Sequence, residues 1–213
     1  MIKNRVKNFA RLIESSSFIV FSLILIFSLG LLAACQSKSE SGENNPTSKV
    51  TAVNVCDMFS QQDIEKIFKV SIKNVKNTVQ SASENGNSFV SQCSYYVNSD
   101  GYKSVGIMVR YFAYVTNPKT FDELVAQNTP ESEAQNEEQK KIIDEVVNSF
   151  KTGIQINDIG DSGVWYNWSD IPSLMLYFNN HYHLIINLTG FEYNNENMEM
   201  CKKVAEKLIT TLK

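Results

Sequence analysis

Ser104-Val-Gly-Ile-Met-Val-Arg-Tyr-Phe-Ala-Tyr-Val115 is the stretch of this chain that most strongly indicates a β-sheet. Its β-branched and aromatic residues favour an extended, partly buried strand. Weaker strand patterns lie on both sides of it, at 70–79 and 89–97 before it and at 164–168, 173–178 and 182–188 after it. Turn residues separate neighbouring strands, and connections of hairpin length favour antiparallel pairing. The sequence therefore predicts about six strands in a mostly antiparallel sheet.

Helical patterns surround these strands. Ser60, with Asp63 three residues later, is typical of a helix N-cap, and apolar residues follow at helical spacing. Asn117-Pro118 and Thr129-Pro130 each place a capping side chain before a proline, which predicts two helices in the middle of the chain. An apolar stripe over 198–212 predicts a C-terminal helix. The predicted order is α-βββ-αα-βββ-α, an α+β fold with its helices packed on one face of the sheet.

Residues 1–34 have the order of a bacterial export signal. Four basic residues lie within the first 11, and they precede 17 residues without a charge, 18–34. The run ends in small residues, at Leu32-Ala33-Ala34-Cys35. A basic, then apolar, then small order is typical of a secretory signal. An uncleaved transmembrane helix is the alternative, because 17 residues lie near the lower limit for a bilayer span.

Leu32-Ala33-Ala34-Cys35 resembles the lipobox of bacterial lipoproteins, whose cysteine is acylated and becomes the first mature residue. The resemblance implies that Cys35 carries acyl chains, which make the membrane a partner and anchor an exported protein to it. By analogy with enteric bacteria, Gln36 favours the outer membrane in a host with two membranes. Residues 36–48 contain no large apolar side chain, so 35–50 should be the anchor and a flexible tether. Residues 51–213 then form a single globular domain.

The number and arrangement of charged residues bear on the class of molecule that the protein binds. The full chain has 20 basic and 23 acidic residues, and the leader accounts for four of the former and one of the latter. The mature protein therefore has 16 basic and 22 acidic residues, a net charge near −6. The chain shows no basic run and no basic residues interleaved with aromatic ones, so nucleic acid is not an expected partner. We expect a protein, peptide, glycan or small solute instead, and no cofactor.

Three short motifs resemble a family of small bacterial envelope lipoproteins of unknown function. The motifs are Val55-Cys56-Asp57-Met58-Phe59-Ser60-x-x-Asp63, Ser91-Gln92-Cys93-Ser94-Tyr95 and Gly160-Asp161-x-Gly163-Val164-Trp165. The chain departs from that family in having Met58-Phe59 where two leucines are usual. The resemblance implies a disulfide between Cys56 and Cys93, which export to an oxidising compartment would preserve. It implies no reaction. Cys201 lies on the apolar stripe of the last helix, where we expect it to pack as a small hydrophobic residue.

The richest aromatic segment supplies the candidate ligand-binding residues Trp165, Trp168, His181 and His183. Alternation along a strand places Trp168 and Trp165 on opposite faces, and it places both histidines on one face. Two histidines fall short of the three or four ligands of a metal site, so we expect no metal. Core packing is the competing interpretation of the aromatic side chains.

Gly160-Asp161-Ser162-Gly163 matches the tetrapeptide around the nucleophile of chymotrypsin-like proteases. Both histidines follow it, which is the wrong order for that fold, and a glycine-containing turn explains the string. We therefore expect no catalytic residue and no enzyme. The predicted function is that of a lipid-anchored envelope protein that binds a protein partner. The alternative is a small-molecule, glycan or metal-binding module that uses the segment from Trp165 to His183.

Overall fold

A computed structural model of the chain describes residues 52–82, 87–97, 102–113, 117–120, 122–124 and 137–212. The predictions for the leader, for Cys35 and for the tether lie outside these residues, as does the predicted helix start at Thr129-Pro130.

Seven strands, four helices whose two ends are described and a further helical segment at 122–124 lie within the described residues. The strands and the four helices are α1 (Val55–Met58), α2 (Gln61–Phe68), β1 (Asn74–Ala82), β2 (Ser88–Tyr96), β3 (Ser104–Phe112), α3 (Glu137–Lys151), β4 (Ile154–Ile156), β5 (Ser162–Trp168), β6 (Ile171–Phe178), β7 (Tyr182–Thr189) and α4 (Asn195–Thr211). The predicted α+β class is confirmed. The strand count is seven rather than six, because β4 adds three residues, too few for an alternating pattern to be visible in the sequence.

All seven strands form one antiparallel sheet in the order β1-β2-β3-β7-β6-β5-β4. Two meanders, β1 to β3 and β4 to β7, lie side by side and join where β3 pairs with β7. Ser169-Asp170 joins β5 to β6, and three residues, 179–181, join β6 to β7; Ser169, Asp170, Asn179 and Asn180 are all at positive φ. A two-residue turn with positive φ at both positions matches the twist of the strands it connects, and Asn and Asp tolerate that backbone conformation best. The tight turns therefore fix the register of the second meander.

The two faces of the sheet carry separate apolar clusters. On the face that we call the major face, α1, α2 and α4 cover a large core whose members include Phe59, Ile64, Trp165, Leu184 and Val204. The opposite, minor face holds a smaller cluster, made of Met108, Leu124, Phe150, Val164, Tyr166, Met175, Tyr177 and Ile185. Neighbouring residues of one strand, such as Leu184 and Ile185, fall in different clusters. This is the alternation expected of a sheet that is buried on both sides.

The prediction that the helices pack on one face is wrong for α3. Its Phe150 meets the ring of Tyr166 edge-on at 4.6 Å on the minor face, and Val146 packs against the same cluster. The physical reason lies in β6 and β7, which are buried along nearly their whole length. Their apolar runs do not alternate with polar residues, so both faces need a cover.

Helix capping follows the prediction at one site and departs from it at another. Ser60 and Asp63 form a reciprocal capping box at the start of α2, as expected. Asn117 is not a cap: its buried side-chain amide donates to the carbonyl of Phe178 at 3.0 Å. Thr120 takes the capping role, because its Oγ1 accepts from the amide of Glu123 at 3.2 Å and its own amide donates to the Glu123 carboxylate at 3.2 Å. A Thr-x-x-Glu spacing is itself a capping signal.

The disulfide between Cys56 and Cys93 is present, with 5.2 Å between the two Cα atoms, and it ties α1 to β2. Two buried hydrogen bonds reinforce the junction. The amide of Val55 donates to Ser91 Oγ at 3.0 Å, and the hydroxyl of Tyr95 donates to the carbonyl of Phe59 at 2.9 Å. Cys201 is a buried thiol in the major-face core, as expected, and burial raises its pKa well above the ordinary value.

Replacing both bridged cysteines, Cys56→Ala with Cys93→Ala, should lower the free energy of unfolding by about 4 kcal/mol, and by less if the reduced chain keeps residual structure. The bridged residues are 37 positions apart, so the bond removes much of the freedom of the unfolded chain. Urea denaturation followed by circular dichroism measures the change. Reductant should destabilise the wild type but leave the double variant unchanged, and equal sensitivity of the two proteins would contradict the assignment.

Two glycines within strands offer a matched test of packing. A Cβ at Gly163 would lie 2.2 Å from Leu176 Cδ2 and 2.8 Å from the Met175 carbonyl oxygen, whereas one at Gly106 would meet nothing closer than 3.9 Å. Gly163→Ala should therefore cost about 1–3 kcal/mol of stability through overpacking. Gly106→Ala should be neutral or slightly stabilising, because it restricts the unfolded chain. Chemical denaturation of both variants makes the comparison, and similar losses would contradict it.

Candidate functional site

The two tryptophans proposed as ligand-binding residues lie on opposite faces of the sheet, as alternation predicted. Trp165 is fully buried in the major-face core, where its ring stacks on Tyr193 with 5.4 Å between centroids. Trp168 packs against the apolar residues of the minor face. Trp165 is therefore a core residue, and Trp168 remains a candidate for contact with a ligand.

The prediction that His181 and His183 share one face is wrong. His183 lies on β7 and stacks on Tyr177 of the minor face, with 4.4 Å between ring centroids and an interplanar angle of 4°. His181 precedes the strand, and its ring lies 5.8 Å from Tyr111, which belongs to the major-face core. The period of two fails because β7 begins only at Tyr182, so His181 belongs to the turn.

Arg110 is the site residue that sequence reasoning missed. It is the only arginine after residue 11, and it stands inside the apolar strand β3. It lies directly opposite His183 on β7 and Val90 on β2. Its Nε donates to the sulfur of Met108 at 3.2 Å, which places the side chain along the minor face. A lone arginine in an otherwise apolar strand was the signal available in the sequence.

Four side chains of the minor face form what we call the minor-face cluster: Arg110, Tyr166, Tyr177 and His183. His183, Tyr177 and Arg110 occupy one row across three neighbouring strands, since His183 pairs with both of the others. Tyr166 lies farther along β5, opposite Ser173. Trp168 lies toward the other end of the strands, because it pairs with Ile171 at the start of β6. The cluster therefore combines one permanent cation with three rings.

Three buried polar atoms have no hydrogen-bond partner among the described residues: Nε1 of Trp165 on the major face, and Nε1 of Trp168 and Nε2 of His183 on the minor face. His183 is only 6% exposed. Among the described residues, the neighbouring Arg110 forms no ion pair with a carboxylate, although it is partly buried. Buried polar groups are ordinarily satisfied, so unused hydrogen-bonding capacity lies on both faces of the sheet, and on the minor face part of it lies beside a cation.

The electrostatics of the cluster keep the imidazole neutral. Burial, and after it the charge of Arg110, lowers the pKa of His183 well below its ordinary value. Burial likewise raises the pKa of Tyr166 to about 12, so its hydroxyl stays protonated at neutral pH. Burial also lowers the pKa of Arg110, which nevertheless keeps its charge because guanidinium deprotonates only under strongly basic conditions. At neutral pH the cluster thus holds a single positive charge among neutral donors.

Residues Gly160–Gly163 have a structural role, because their side chains hold neighbouring loops together. The Ser162 hydroxyl is buried and donates to the carbonyl of Pro118 at 2.6 Å. Asp161 accepts from the Asn117 side chain and from the Asn180 amide, each at 3.1 Å, and pairs with Lys119 at 3.3 Å. These bonds hold the segment after β3 against the turn between β6 and β7, consistent with a turn.

Within the part of the chain that the structure describes, no three His, Cys, Asp or Glu side chains gather closely enough to hold a metal ion. No helix in the same described ranges has the length and hydropathy needed to cross a bilayer. Comparisons with protein-family models, with curated proteins and with solved structures found no match.

The buried His183 should make stability depend on pH. Its pKa is lowered in the folded state, so only the unfolded chain takes up a proton as the pH falls through about 6.5. The wild type should lose up to about 2 kcal/mol between pH 7 and pH 5, and His183→Gln should lose markedly less. Urea denaturation at a series of pH values measures both slopes. An unchanged slope in His183→Gln would contradict the assignment.

Proposed function

We propose that this protein is a lipid-anchored lipoprotein of the bacterial cell envelope, and that its domain binds a protein partner without catalysing a reaction. The observation that carries the proposal is Leu32-Ala33-Ala34-Cys35 at the end of a basic leader and a 17-residue uncharged run. Acyl chains on Cys35 would hold the protein at the membrane, and more than one chain is needed for stable anchoring. In a host with two membranes, we place it in the outer one.

The disulfide supports this localisation independently of the leader. Such bonds persist in oxidising compartments and are rare in the reducing cytosol. The Cys56–Cys93 bond has Cα atoms 5.2 Å apart, within the range that a disulfide requires. An exported domain would keep this bond, so the disulfide agrees with export.

A small exposed apolar surface supports binding to a protein. Ile154 on β4 is 42% exposed, and Tyr193 is 39% exposed. The two residues adjoin, because Ile154 pairs with Trp165, whose carbonyl accepts a hydrogen bond from the Tyr193 hydroxyl at 3.0 Å. β4 is the last strand in the order of the sheet, and edge strands offer unpaired backbone groups to a partner. We propose this edge as the surface that meets a protein of the envelope.

The second candidate function is binding of a small molecule, and the unpartnered polar atoms of the minor face favour it. Of the four residues proposed from the sequence, only His183 belongs to the minor-face cluster; Trp168 lies on the same face but pairs with Ile171, at the other end of β6. Trp165 and His181 contact rings of the major face. This candidate is compatible with lipid anchoring.

Acylation is tested by growing cells that express the protein with an alkyne-tagged fatty acid. The wild type should incorporate the label and fractionate with membranes, whereas Cys35→Ala should incorporate none. Cys201→Ala, which alters a buried thiol of the domain, is the control and should be labelled like the wild type. Intact-mass measurement adds a second criterion: an unlabelled wild-type protein that keeps residues 1–34 would replace the lipoprotein with the transmembrane alternative.

A further inference from the structure

We propose that β4 pairs with β4 of a second copy of this chain, so that the sheets of the two copies join edge to edge across a two-fold axis. The inference names the protein that meets the β4 edge, and it therefore rests on the proposed function. The contacts that carry it belong to the folded domain and not to the anchor at Cys35.

The turn between β5 and β6 fixes which backbone groups of β5 face β4. The two-residue turn Ser169-Asp170 makes Trp168 and Ile171 a hydrogen-bonded pair, so the N–H and C=O of Trp168 point to β6. The direction of hydrogen bonding alternates from residue to residue along a strand. The backbone groups of Trp165 and Gly163 therefore point to the other neighbour, β4.

The same alternation leaves the middle residue of β4 facing outward. Ile154 and Ile156 lie opposite those two residues of β5, so their backbone groups point to β5. The Tyr193 hydroxyl agrees with this direction, because it accepts from the Ile154 amide and donates to the Trp165 carbonyl at 3.0 Å. Gln155 therefore points its N–H and C=O away from β5, and the described sheet has no further strand on that side. Such a donor and acceptor are a template for another strand.

The sequence of β4 is complementary to itself. Ile154-Gln155-Ile156 reads the same in both directions. In an antiparallel pair of copies centred on Gln155, the two glutamines exchange two backbone hydrogen bonds, and Ile154 lies opposite Ile156 of the second copy. Ile154 is 42% exposed in the single chain, and this contact covers it.

The charges that flank β4 favour the antiparallel arrangement. The strand itself is uncharged, with the exposed Lys151 before it and the exposed Asp158 after it. An antiparallel copy brings Lys151 of one chain toward Asp158 of the other, whereas a parallel copy would bring like charges together. Asp158 also pairs with Lys202 of its own chain, so the attraction between copies orients them more than it holds them.

The opposite edge of the sheet carries features that hinder such pairing. The exposed Lys73 and Lys76 lie before and within β1, and a bulge between Val79 and Ser81 interrupts its ladder. Lysines and bulges protect edge strands from a further strand. β4 has no charge, proline or bulge, and only its length of three residues limits the affinity. Association is therefore weak in dilute solution and stronger when the copies are confined to one membrane.

Disulfide crosslinking of the full-length protein in membranes tests the pairing. In Gln155→Cys the two new thiols meet at the axis with about 5.5 Å between Cα atoms, which suits a disulfide. Oxidation with copper phenanthroline should give a covalent dimer on a non-reducing gel. Thr152→Cys is the control: it lies at the same edge and is exposed, but its register places the two thiols about 20 Å apart. Equal crosslinking of the two variants, or none in either, overturns the proposal.

A second pair of variants separates backbone pairing from contact between side chains. Gln155→Pro removes the outward N–H without removing a bond to β5, whereas Gln155→Ala keeps it. Copies labelled with donor or acceptor dyes at Lys203→Cys, on the exposed side of α4, are mixed in lipid vesicles. Förster transfer above the random level should persist for Gln155→Ala, and the association constant should fall at least about tenfold for Gln155→Pro. Equal transfer in both overturns the proposal.

Two further readouts keep these results interpretable. Circular dichroism shows whether Gln155→Pro is folded, and the crosslinking result does not depend on that variant. Fatty-acid labelling reports on the anchor separately. A labelled protein in which Gln155→Cys fails to crosslink remains a lipoprotein and loses the second copy as its partner, whereas crosslinking of an unlabelled protein keeps the paired sheet and removes the lipid anchor.

Discussion

The pairing of β3 with β7 is the contact on which the rest of the structure depends. It runs from Ser104 opposite Thr189 to Tyr111 opposite Tyr182, and it is the only seam between the two meanders in the described sheet. Without it each meander would have one more open edge, and apolar side chains along that edge would be in water. The residues it joins are far apart in the sequence, so the chain gains these contacts only after closing a long loop. The same pairing places Arg110 beside His183.

The described sheet has unequal faces, which differ in the amount of apolar surface that they bury. The major face is apolar and covered by three helices, so hydrophobic burial there supplies most of the folding free energy. The minor face has fewer apolar side chains and carries a cation and buried nitrogens without partners. Such unsatisfied groups lower stability, and proteins retain them where a function requires it. The stability that the large major-face core supplies offsets the cost of burying polar groups on the minor face.

Much of this fold follows from local pattern. Composition predicted the strands around Ser104, and Ser60 with Asp63 predicted a helix start, because both signals lie within a few residues. Features that depend on distant partners were not predictable. Asn117 has the local features of a helix cap, yet it bonds to Phe178 because the tertiary fold buries it. His181 and His183 have the spacing of strand neighbours, but the turn at Asn179-Asn180 decides where the strand begins. Arg110 could be recognised as a site residue only after the strand pairing had shown that its neighbours across the sheet carry no charge.

The Cys56–Cys93 bond also has a mechanical consequence. A domain held at Cys35, as proposed, feels tension at its N-terminus whenever its partner moves relative to the membrane. That tension enters through α1, whose four residues would unravel under a small force. The covalent crosslink stops extension at Cys56 and passes the load to β2, which is hydrogen-bonded to β1 on one side and β3 on the other. Because many bonds of the sheet then share the force, the domain can stay folded while tethered.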